Sequence, residues 1–222
     1  MIVADVDKTL TVESMEGPIL NDFGVPSSEY WTKVKKNDKE SPDTFTQNYV
    51  NPLLEDERIE LDRGYLAELG GRLDLYDGVE SFFSRMREWG AEHDIEFSFY
   101  LVSTGLKDVA DNLSFADEMD GIYGTRLNYS TNDTPTGIAY ALEPTLKPEF
   151  LDRIADEEHV DMKDVIYLGD GVTDRYAFDR VSEGDGLGIC VISDKERDLG
   201  DVQVKADYST DVPEYIQGYL LG

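Results

Sequence analysis

Two aspartates lie two residues apart at the end of a short apolar run. Asp5 and Asp7 occur in the stretch IVADVDKTLT, residues 2–11, directly after an apolar triplet. Aspartate is depleted in strands, so we expect the first strand to end at this point. If the chain stays extended past Asp5, both side chains point to the same side. One carboxylate can then attack a substrate while the other transfers a proton.

Polar residues also follow two later predicted strands. The positions are Ser103, Thr104 and Gly105 after FYLV, and Asp170 and Asp174 after VIYL. Lys147 adds a cation at the start of a predicted helix, LKPEFLDRIADE. In an open α/β sheet, sites lie beyond the carboxyl ends of the strands. We therefore expect these separate segments to meet at one edge of the sheet.

This combination of groups predicts phosphoryl transfer. Clustered carboxylates repel one another unless they are protonated, separated or held by a cation, and such hard oxygen ligands suit Mg²⁺. The Ser103 hydroxyl can bind a phosphoryl oxygen, and Lys147 can neutralise its charge. Taken alone, Asp170-Gly171 is typical of a turn and Ser103 of a helix cap, so the inference depends on the whole set.

The elements that must position these groups alternate between strands and helices. Residues 2–4, 95–102 and 164–168 are predicted strands, and GIYGTRLNYS with TPTGIAYAL predicts two more strands or a hairpin. The alternation predicts an α/β protein with a Rossmann-like three-layer core and a mainly parallel sheet. Residues 12–75 are polar and helix-like, which predicts a helical cap inserted into a core of residues 1–11 and 76–222.

Charge and composition limit the classes of partner. The chain has 48 acidic and 20 basic residues, for a net charge of −28. The charge disfavours a nucleic-acid partner, because phosphate binding needs a basic surface. The dispersed acidity resembles that of proteins from salt-loving microbes, where salt screens the repulsion. No apolar run approaches the roughly 18 residues of a membrane span and no signal peptide is seen, so a soluble cytoplasmic protein is expected.

Several residues have simpler explanations than chemistry. The single cysteine, Cys190, excludes an intrachain disulfide and is expected in a buried strand. His93 and His159 lack metal-ligand spacing and are expected at the surface. The cap region contains a lysine-rich stretch and an aromatic group, namely Lys33, Lys35, Lys36 and Lys39, and Tyr30, Trp31 and Tyr49. We expect a solvated helix face and a cap core; the alternatives are a positive spot that attracts an anionic substrate and a specificity pocket.

Four motifs resemble, in order, those of the haloacid dehalogenase superfamily. They are DVDKT, VST, Lys147 and GDGVTD, and each lies at a predicted strand end or helix start. The resemblance covers the chain outside the insertion, and the insertion resembles the helical cap that many members carry after the first motif. The order of the motifs is most similar to that of phosphoserine-phosphatase-like members.

The resemblance implies a phosphatase that acts on a small phosphorylated metabolite. Asp5 would be the nucleophile that forms an aspartyl-phosphate, and Asp7 the general acid and then the general base. The implied Mg²⁺ ligands are Asp5, the backbone carbonyl of Asp7, Asp170 and Asp174, the last completing or orienting the metal shell. The implied phosphate-binding residues are Ser103, Thr104, Gly105 and Lys147, with Lys147 also restraining Asp5.

Two residue assignments have alternatives. DKTLT also resembles the DKTGT of P-type ion pumps, which would make Asp7 the phosphorylated residue. Those pumps need membrane helices, and an aspartate at the second position is what a phosphatase uses, so Asp5 is favoured. Lys107 follows the second motif and competes with Lys147, which is favoured because it precedes a helix upstream of the last motif.

Two alternative functions also fit parts of the pattern. One is a phosphomutase, which would return the phosphoryl group to a sugar. The other is a phospho-accepting signalling or binding module, since receiver domains share an acidic cluster, a hydroxyl and a lysine. Such modules lack a cap and a separate GDGVTD motif. A dehalogenase is disfavoured because it needs neither a second acid at Asp7 nor Mg²⁺.

Overall fold

A seven-stranded sheet forms the centre of this computed structural model, which describes residues 1–37, 44–193 and 198–222. The strands are β1 (Ile2–Ala4), β2 (Phe99–Leu106), β3 (Gly121–Tyr129), β4 (Pro135–Tyr140), β5 (Ile166–Gly169), β6 (Leu187–Ile192) and β7 (Val202–Lys205). Their order is β4-β3-β2-β1-β5-β6-β7. Neighbouring strands are parallel except β3 and β4, which form the predicted hairpin.

Helices cover both faces of the sheet. They are α1 (Glu16–Asp22), α2 (Ser27–Asn37), α3 (Phe45–Leu54), α4 (Arg63–Arg72), α5 (Val79–Glu92), α6 (Lys107–Ala110), α7 (Lys147–Glu158), α8 (Arg175–Glu183) and α9 (Asp211–Leu221). Side chains of β1 alternate between two buried clusters: Ile2 and Ala4 pack on the side of α5 and α9, and Val3 on the side of α7 and α8. The predicted three-layer α/β core is confirmed.

Among the described residues, helices α1 to α4 belong to the inserted helical cap. The chain enters and leaves this region through two adjacent segments, where Thr11 and Leu75 form an isolated antiparallel bridge. The Val12 N–H donates to the Asp74 carbonyl at 2.8 Å, and the Tyr76 N–H donates to the Leu10 carbonyl at 3.0 Å. These bonds tie the two connections of the cap together at its junction with the sheet.

The strand β2 begins four residues later than the sequence pattern predicts and extends through the second motif. Helix α5 ends in a turn that uses the intervening residues: Asp94 adopts a positive φ of 56°, and the Ile95 N–H donates to the Gly90 carbonyl at 2.8 Å. A helix-ending turn of this kind satisfies an orphan carbonyl and redirects the chain before the strand. β2 then runs from Phe99 to Leu106, with a shift in its register with β3 after Val102.

The lysine-rich stretch contributes to the cap itself. Lys33 Nζ lies 2.8 Å from Asp56 Oδ2, and Arg58 pairs with the same carboxylate, so the Lys33 charge is used inside the cap. Lys35 is exposed, as expected of a solvated helix face. Lys39 lies outside the described residues.

The remaining expectations concern burial. Cys190 is fully buried in β6, and His93 and His159 are exposed, as predicted. Within the described ranges, none of the helices combines the length and apolar character that a membrane crossing requires.

Candidate active site

The carboxyl ends of three adjacent strands bring the predicted residues together. β1 lies between β2 and β5, with Ala4 paired to Leu101 on one side and to Leu168 on the other. Asp5 follows β1 directly, and its N–H donates to the Leu168 carbonyl at 2.9 Å. The three motifs are far apart in sequence but adjacent in the sheet, because parallel pairing aligns their carboxyl ends.

Lys147 lies at the centre of this cluster and is fully buried. Its Nζ is 3.1 Å from Asp5 Oδ1, 2.6 Å from Asp174 Oδ1 and 3.1 Å from the Tyr167 hydroxyl. Burial by itself would lower the pKa of Lys147, but the charges of Asp174 and Asp5 outweigh that effect and raise it. The lysine is therefore held as a cation between two carboxylates.

Asp174 is bonded to protein through both carboxylate oxygens. Oδ1 accepts from Lys147 and, at 2.6 Å, from the Tyr167 hydroxyl, while Oδ2 accepts from the N–H groups of Asp170 and Gly171 at 3.1 Å each. A side chain on Gly169 would collide with this carboxylate, so glycine is required at the end of β5. Asp174 thus fixes both Lys147 and the backbone of the loop that carries Asp170.

Asp5 is almost fully buried at the floor of the site. Burial raises the pKa of Asp5 to about 6, and the negative charge of Asp174 acts in the same direction. The positive charge of Lys147 and the hydrogen bond from Ser103 oppose this rise. Its Oδ1 faces the Lys147 ammonium at 3.1 Å and has no other polar partner among the described residues. A buried carboxylate oxygen in this state is suited to bind a cation.

Asp7 faces the same cavity as Asp5, as the two-residue spacing predicts. The Met15 N–H donates to its Oδ1 at 3.2 Å. Burial and the nearby charges of Glu16 and Asp5 raise the pKa of Asp7 well above its usual range. A side chain on Gly105 would collide with Met15 and crowd Asp7, so the glycine of the second motif keeps this acid accessible.

Three carboxylates could hold a metal ion. One oxygen from each of Asp5, Asp170 and Asp174 lies within 4.8 Å of the others. Hard oxygen donors at this spacing, together with the unsatisfied Asp5 Oδ1, fit a divalent cation such as Mg²⁺. Asp7 lies in the loop after β1, as Asp5 does, but the Asp7 carboxylate is not part of this three-carboxylate group.

The cavity above these groups has a volume of about 190 Å³. Its lining comes from the strand ends, the loop after β5 and the cap, and comprises Asp5, Asp7, Lys8, Ser14, Trp31, Phe45, Thr46, Tyr49, Thr104, Gly105, Asp170, Gly171, Val172 and Thr173. The cap therefore closes a small space whose floor carries the acidic groups.

Comparison with known proteins decides the fold. No family model and no curated sequence matches the chain. Among solved structures, a substrate-bound phosphoserine phosphatase matches with a TM-score of 0.72 and 20% identity over 98% of this chain and 96% of the other. A phospho-aspartyl intermediate analogue of phosphoserine phosphatase gives 0.70 and 21% over 98% and 97%. A HAD family hydrolase from Salmonella enterica serovar Typhi gives 0.68 and 18% over 87% and 62%.

The chain has the haloacid dehalogenase fold. The matches to phosphoserine phosphatase extend over nearly the whole chain, so they include the cap as well as the sheet. The resemblance that the four motifs indicate is therefore confirmed at the level of the fold.

Within this haloacid dehalogenase fold, the predicted residues are placed in two layers. Asp5, Asp7, Asp170, Thr104 and Gly105 line the cavity directly. Ser103, Lys147 and Asp174 lie beneath them, buried and in contact with Asp5 or with one another. The layout separates groups that can touch a substrate from groups that orient them.

The competing lysine lies elsewhere. Lys107 begins α6 and pairs with Asp111 on the same helix, with both side chains partly exposed. Among the described residues, Lys147 is the cation that pairs with Asp5. Both lysines begin a helix, and packing identifies Lys147 at the start of α7 as the buried cation.

The aromatic group in the cap has two roles. Tyr30 is buried and its hydroxyl donates to the Tyr49 carbonyl at 2.8 Å, as expected of a cap core. Trp31 and Tyr49 are partly buried against the same core and also line the cavity, so the expected core role and the alternative of a pocket role both apply to them. Helix α2 carries Trp31 and helix α3 carries Tyr49, so their placement at the cavity depends on how the cap docks.

Two contributors escape sequence reasoning. Tyr167 lies within the buried strand β5, and its hydroxyl donates to Asp174. A tyrosine in an apolar run indicates that its hydroxyl has a hydrogen-bond partner, but the sequence does not show which residue that partner is. Glu143 lies in the loop after β4, and its Oε2 accepts from the Thr46 N–H at 2.6 Å. The contact between Glu143 and Thr46 joins residues 97 positions apart in the sequence.

Glu143 attaches the cap to the core. Its carboxylate also accepts from the Gln47 N–H at 3.4 Å, and Thr46 Oγ1 donates to the Leu142 carbonyl at 2.9 Å. The carboxylate thus caps the N-terminus of α3, where negative charge is favourable. Because Thr46 lines the cavity, the contact also sets the height of the cap over the site.

Glu143→Gln is expected to destabilise the protein by about 1–2 kcal/mol, because the buried cap of α3 loses its charge. The matched control is Glu149→Gln, an exposed glutamate in the first turn of α7, whose loss is expected to cost under about 0.5 kcal/mol. Urea midpoints of the two variants measure the difference. Equal midpoints would show that the Glu143 contact does not hold the cap.

Proposed function

We propose that the chain is a Mg²⁺-dependent phosphatase that hydrolyses a small phosphorylated metabolite through an aspartyl-phosphate on Asp5. The observation that carries the proposal is the buried ion triad, in which Lys147 Nζ contacts Asp5 at 3.1 Å and Asp174 at 2.6 Å beneath a cavity that Asp7 also faces. A solved structure described as a phospho-aspartyl intermediate analogue of phosphoserine phosphatase shares the fold and supports this chemistry.

The first step transfers the phosphoryl group to the protein. An oxygen of Asp5 attacks phosphorus, the bond from phosphorus to the leaving oxygen breaks, and Asp7 donates its proton to that oxygen. The raised pKa of Asp7 supports the role, since a protonated carboxyl is needed at the start. Lys147 and Ser103 restrain Asp5 from beneath, and the positive charge of Lys147 offsets negative charge that develops at Asp5 and the transferring group.

The second step regenerates the carboxylate. Asp7, now ionised, takes a proton from a water molecule as that water attacks phosphorus and the bond to Asp5 breaks. Inorganic phosphate leaves, and Asp7 is protonated again for the next cycle. The cap supports both steps because its closure over the cavity limits the access of bulk water.

The residues that would hold Mg²⁺ are Asp5, Asp170 and the backbone carbonyl of Asp7, with Asp174 orienting the loop from beneath. When bound, the metal supplies positive charge that stabilises the phosphoryl oxygens. Asp5 and Asp170 each have a carboxylate oxygen within 4.8 Å of the other, which supports this arrangement.

The proposal is tested by steady-state release of phosphate from p-nitrophenyl phosphate with Mg²⁺. Many phosphates per chain are expected. A single phosphate per chain would favour the phospho-accepting module, and transfer of the group within a sugar phosphate, without release, would favour the phosphomutase.

We also propose a salt-rich cytoplasm as the working environment, since 48 acidic against 20 basic residues suit screening by salt. The assays therefore include molar KCl.

Mg²⁺ is expected to raise the melting temperature of EDTA-treated protein, because a ligand that binds only the folded state adds about 2.7 kcal/mol at a hundredfold excess over Kd. Asp170→Asn is expected to weaken Mg²⁺ binding at least tenfold, which moves the titration midpoint of the melting temperature to higher Mg²⁺. Asp179→Asn on the exposed face of α8 is the control and leaves the midpoint unchanged. The metal assignment fails if both variants titrate like the wild type.

A further inference from the structure

The cap side of the cavity is an aromatic wall. Trp31 from α2 and Phe45 and Tyr49 from α3 line it. The ring centroids of Trp31 and Tyr49 are 5.5 Å apart, and those of Phe45 and Tyr49 are 6.0 Å apart. The three rings therefore contact one another and present a continuous surface to whatever group the phosphate carries.

Acidic side chains surround this wall. Asp5, Asp7 and Asp170 line the cavity, and Glu16 lies buried behind Tyr49, with which it shares a hydrogen bond. Glu16 is only 6% exposed, and among the described residues its Oε2 has no hydrogen-bond partner. Its carboxyl group lies close enough to Asp7 to contribute to the raised pKa of that residue, and burial raises the pKa of Glu16 as well.

Positive charge is scarce at the same place. Of the described residues that line the cavity, Lys8 alone is cationic, and its side chain is exposed at the surface. Lys147 is committed to Asp5 and Asp174 beneath the floor. A carboxylate on the leaving group would therefore meet aromatic faces and acidic side chains, and burial without a partner is costly for such a group.

The volume limits the size of the leaving group. A cavity of about 150 Å³ holds one benzene molecule. The cavity here is about 190 Å³, and the phosphoryl group takes part of it. A short alkyl chain with a small head group fits in the remainder.

We propose that the leaving group is a short alkyl chain that carries an ammonium group and no carboxylate. An ammonium ion is attracted to the faces of Trp31, Phe45 and Tyr49. The acidic side chains that line the cavity can accept its hydrogen bonds. The inference rests on the proposed phosphatase function and names its substrate class: small alkyl phosphates with a cationic head.

Matched substrates test the two halves of this inference. O-phosphoethanolamine and O-phosphoserine differ by one carboxylate, and O-phosphoethanolamine and propyl phosphate differ by an ammonium in place of a methyl group. With Mg²⁺ in molar KCl, we expect kcat/KM for O-phosphoethanolamine to exceed that for each of the others at least tenfold. Phosphocholine is expected to remain a substrate, because its trimethylammonium group keeps the positive charge.

Variants of the wall test the residues. Trp31→Leu and Tyr49→Leu are each expected to reduce the preference for O-phosphoethanolamine over propyl phosphate by about fivefold or more. Trp89→Leu, a partly buried tryptophan of α5 outside the cavity lining, is expected to leave that ratio unchanged. Because the readout is a ratio of two substrates, a general loss of folded protein does not mimic the effect.

The outcomes separate this inference from the function beneath it. If the protein turns over p-nitrophenyl phosphate and hydrolyses O-phosphoserine with the same kcat/KM as O-phosphoethanolamine, the exclusion of the carboxylate is overturned. Equal rates for propyl phosphate would overturn the ammonium site. Absence of turnover with every phosphate ester, the aryl phosphate included, would overturn the phosphatase function and this inference with it.

Discussion

Asp5→Asn is expected to lose nearly all turnover, by at least about 10⁴-fold, while the protein stays folded. Asparagine has the shape of aspartate and keeps an oxygen for the Ser103 contact, but its amide cannot act as the nucleophile. The fold survives because Lys147 remains paired with Asp174, and because burial already opposes the charged form of Asp5. Phosphate release measures the loss, and thermal unfolding checks the fold.

The control for this experiment is Asp7→Asn, which distinguishes the two aspartates. With an aryl phosphate, whose leaving group needs little help from an acid, this variant is expected to form the phosphoprotein and then stall. Acid quenching with labelled substrate detects it. A phosphoprotein formed by Asp5→Asn and not by Asp7→Asn would place the nucleophile at Asp7.

Lys147→Met is expected to destabilise the protein by about 3–5 kcal/mol and to abolish activity. Removing one partner of a buried ion group leaves its carboxylates uncompensated, and here two carboxylates, Asp5 and Asp174, lose the same cation. For a chain of 222 residues this corresponds to a fall in melting temperature of roughly 6–20 °C.

Lys107→Met is the matched control. Its partner Asp111 is 42% exposed and Lys107 itself 31% exposed, so solvent screens the pair and its loss is expected to cost under about 1 kcal/mol. Activity is expected to be retained.

A second variant keeps the test valid if Lys147→Met does not fold. Lys147→Met with Asp174→Asn removes one of the uncompensated charges, and the Tyr167 hydroxyl can still bond the amide. This double variant is expected to regain part of the stability and none of the activity. Wild-type activity in either variant would remove Lys147 from the site.

The placement of Asp5, Ser103 and Asp170 could be predicted from the sequence. Each follows a short apolar run, and parallel pairing of such runs puts their ends at one edge of a sheet. The same local logic predicted the hairpin of β3 and β4 and the helical character of the inserted segment. Local patterns were sufficient because strand ends and turns depend on neighbours in sequence.

The start of β2 and the choice of lysine were not fixed by the sequence patterns. The late start of β2 follows from the turn that ends α5, where Ile95 bonds back to Gly90. Lys107 and Lys147 have similar sequence contexts, each near the start of a helix, and only packing shows that Lys147 points beneath the sheet edge.

Sequence by itself determined the chemical groups of this protein: carboxylates, a hydroxyl and a lysine at strand ends and a helix start, on a strongly acidic chain. Tertiary structure alone decided how they are held and what faces them. The Tyr167 bond to Asp174, the Glu143 cap on α3 and the aromatic wall of Trp31, Phe45 and Tyr49 all join segments whose spacing in sequence carries no period. Such contacts arise from the docking of a separate helical layer on the sheet, and docking is set by the shape of whole surfaces rather than by local patterns.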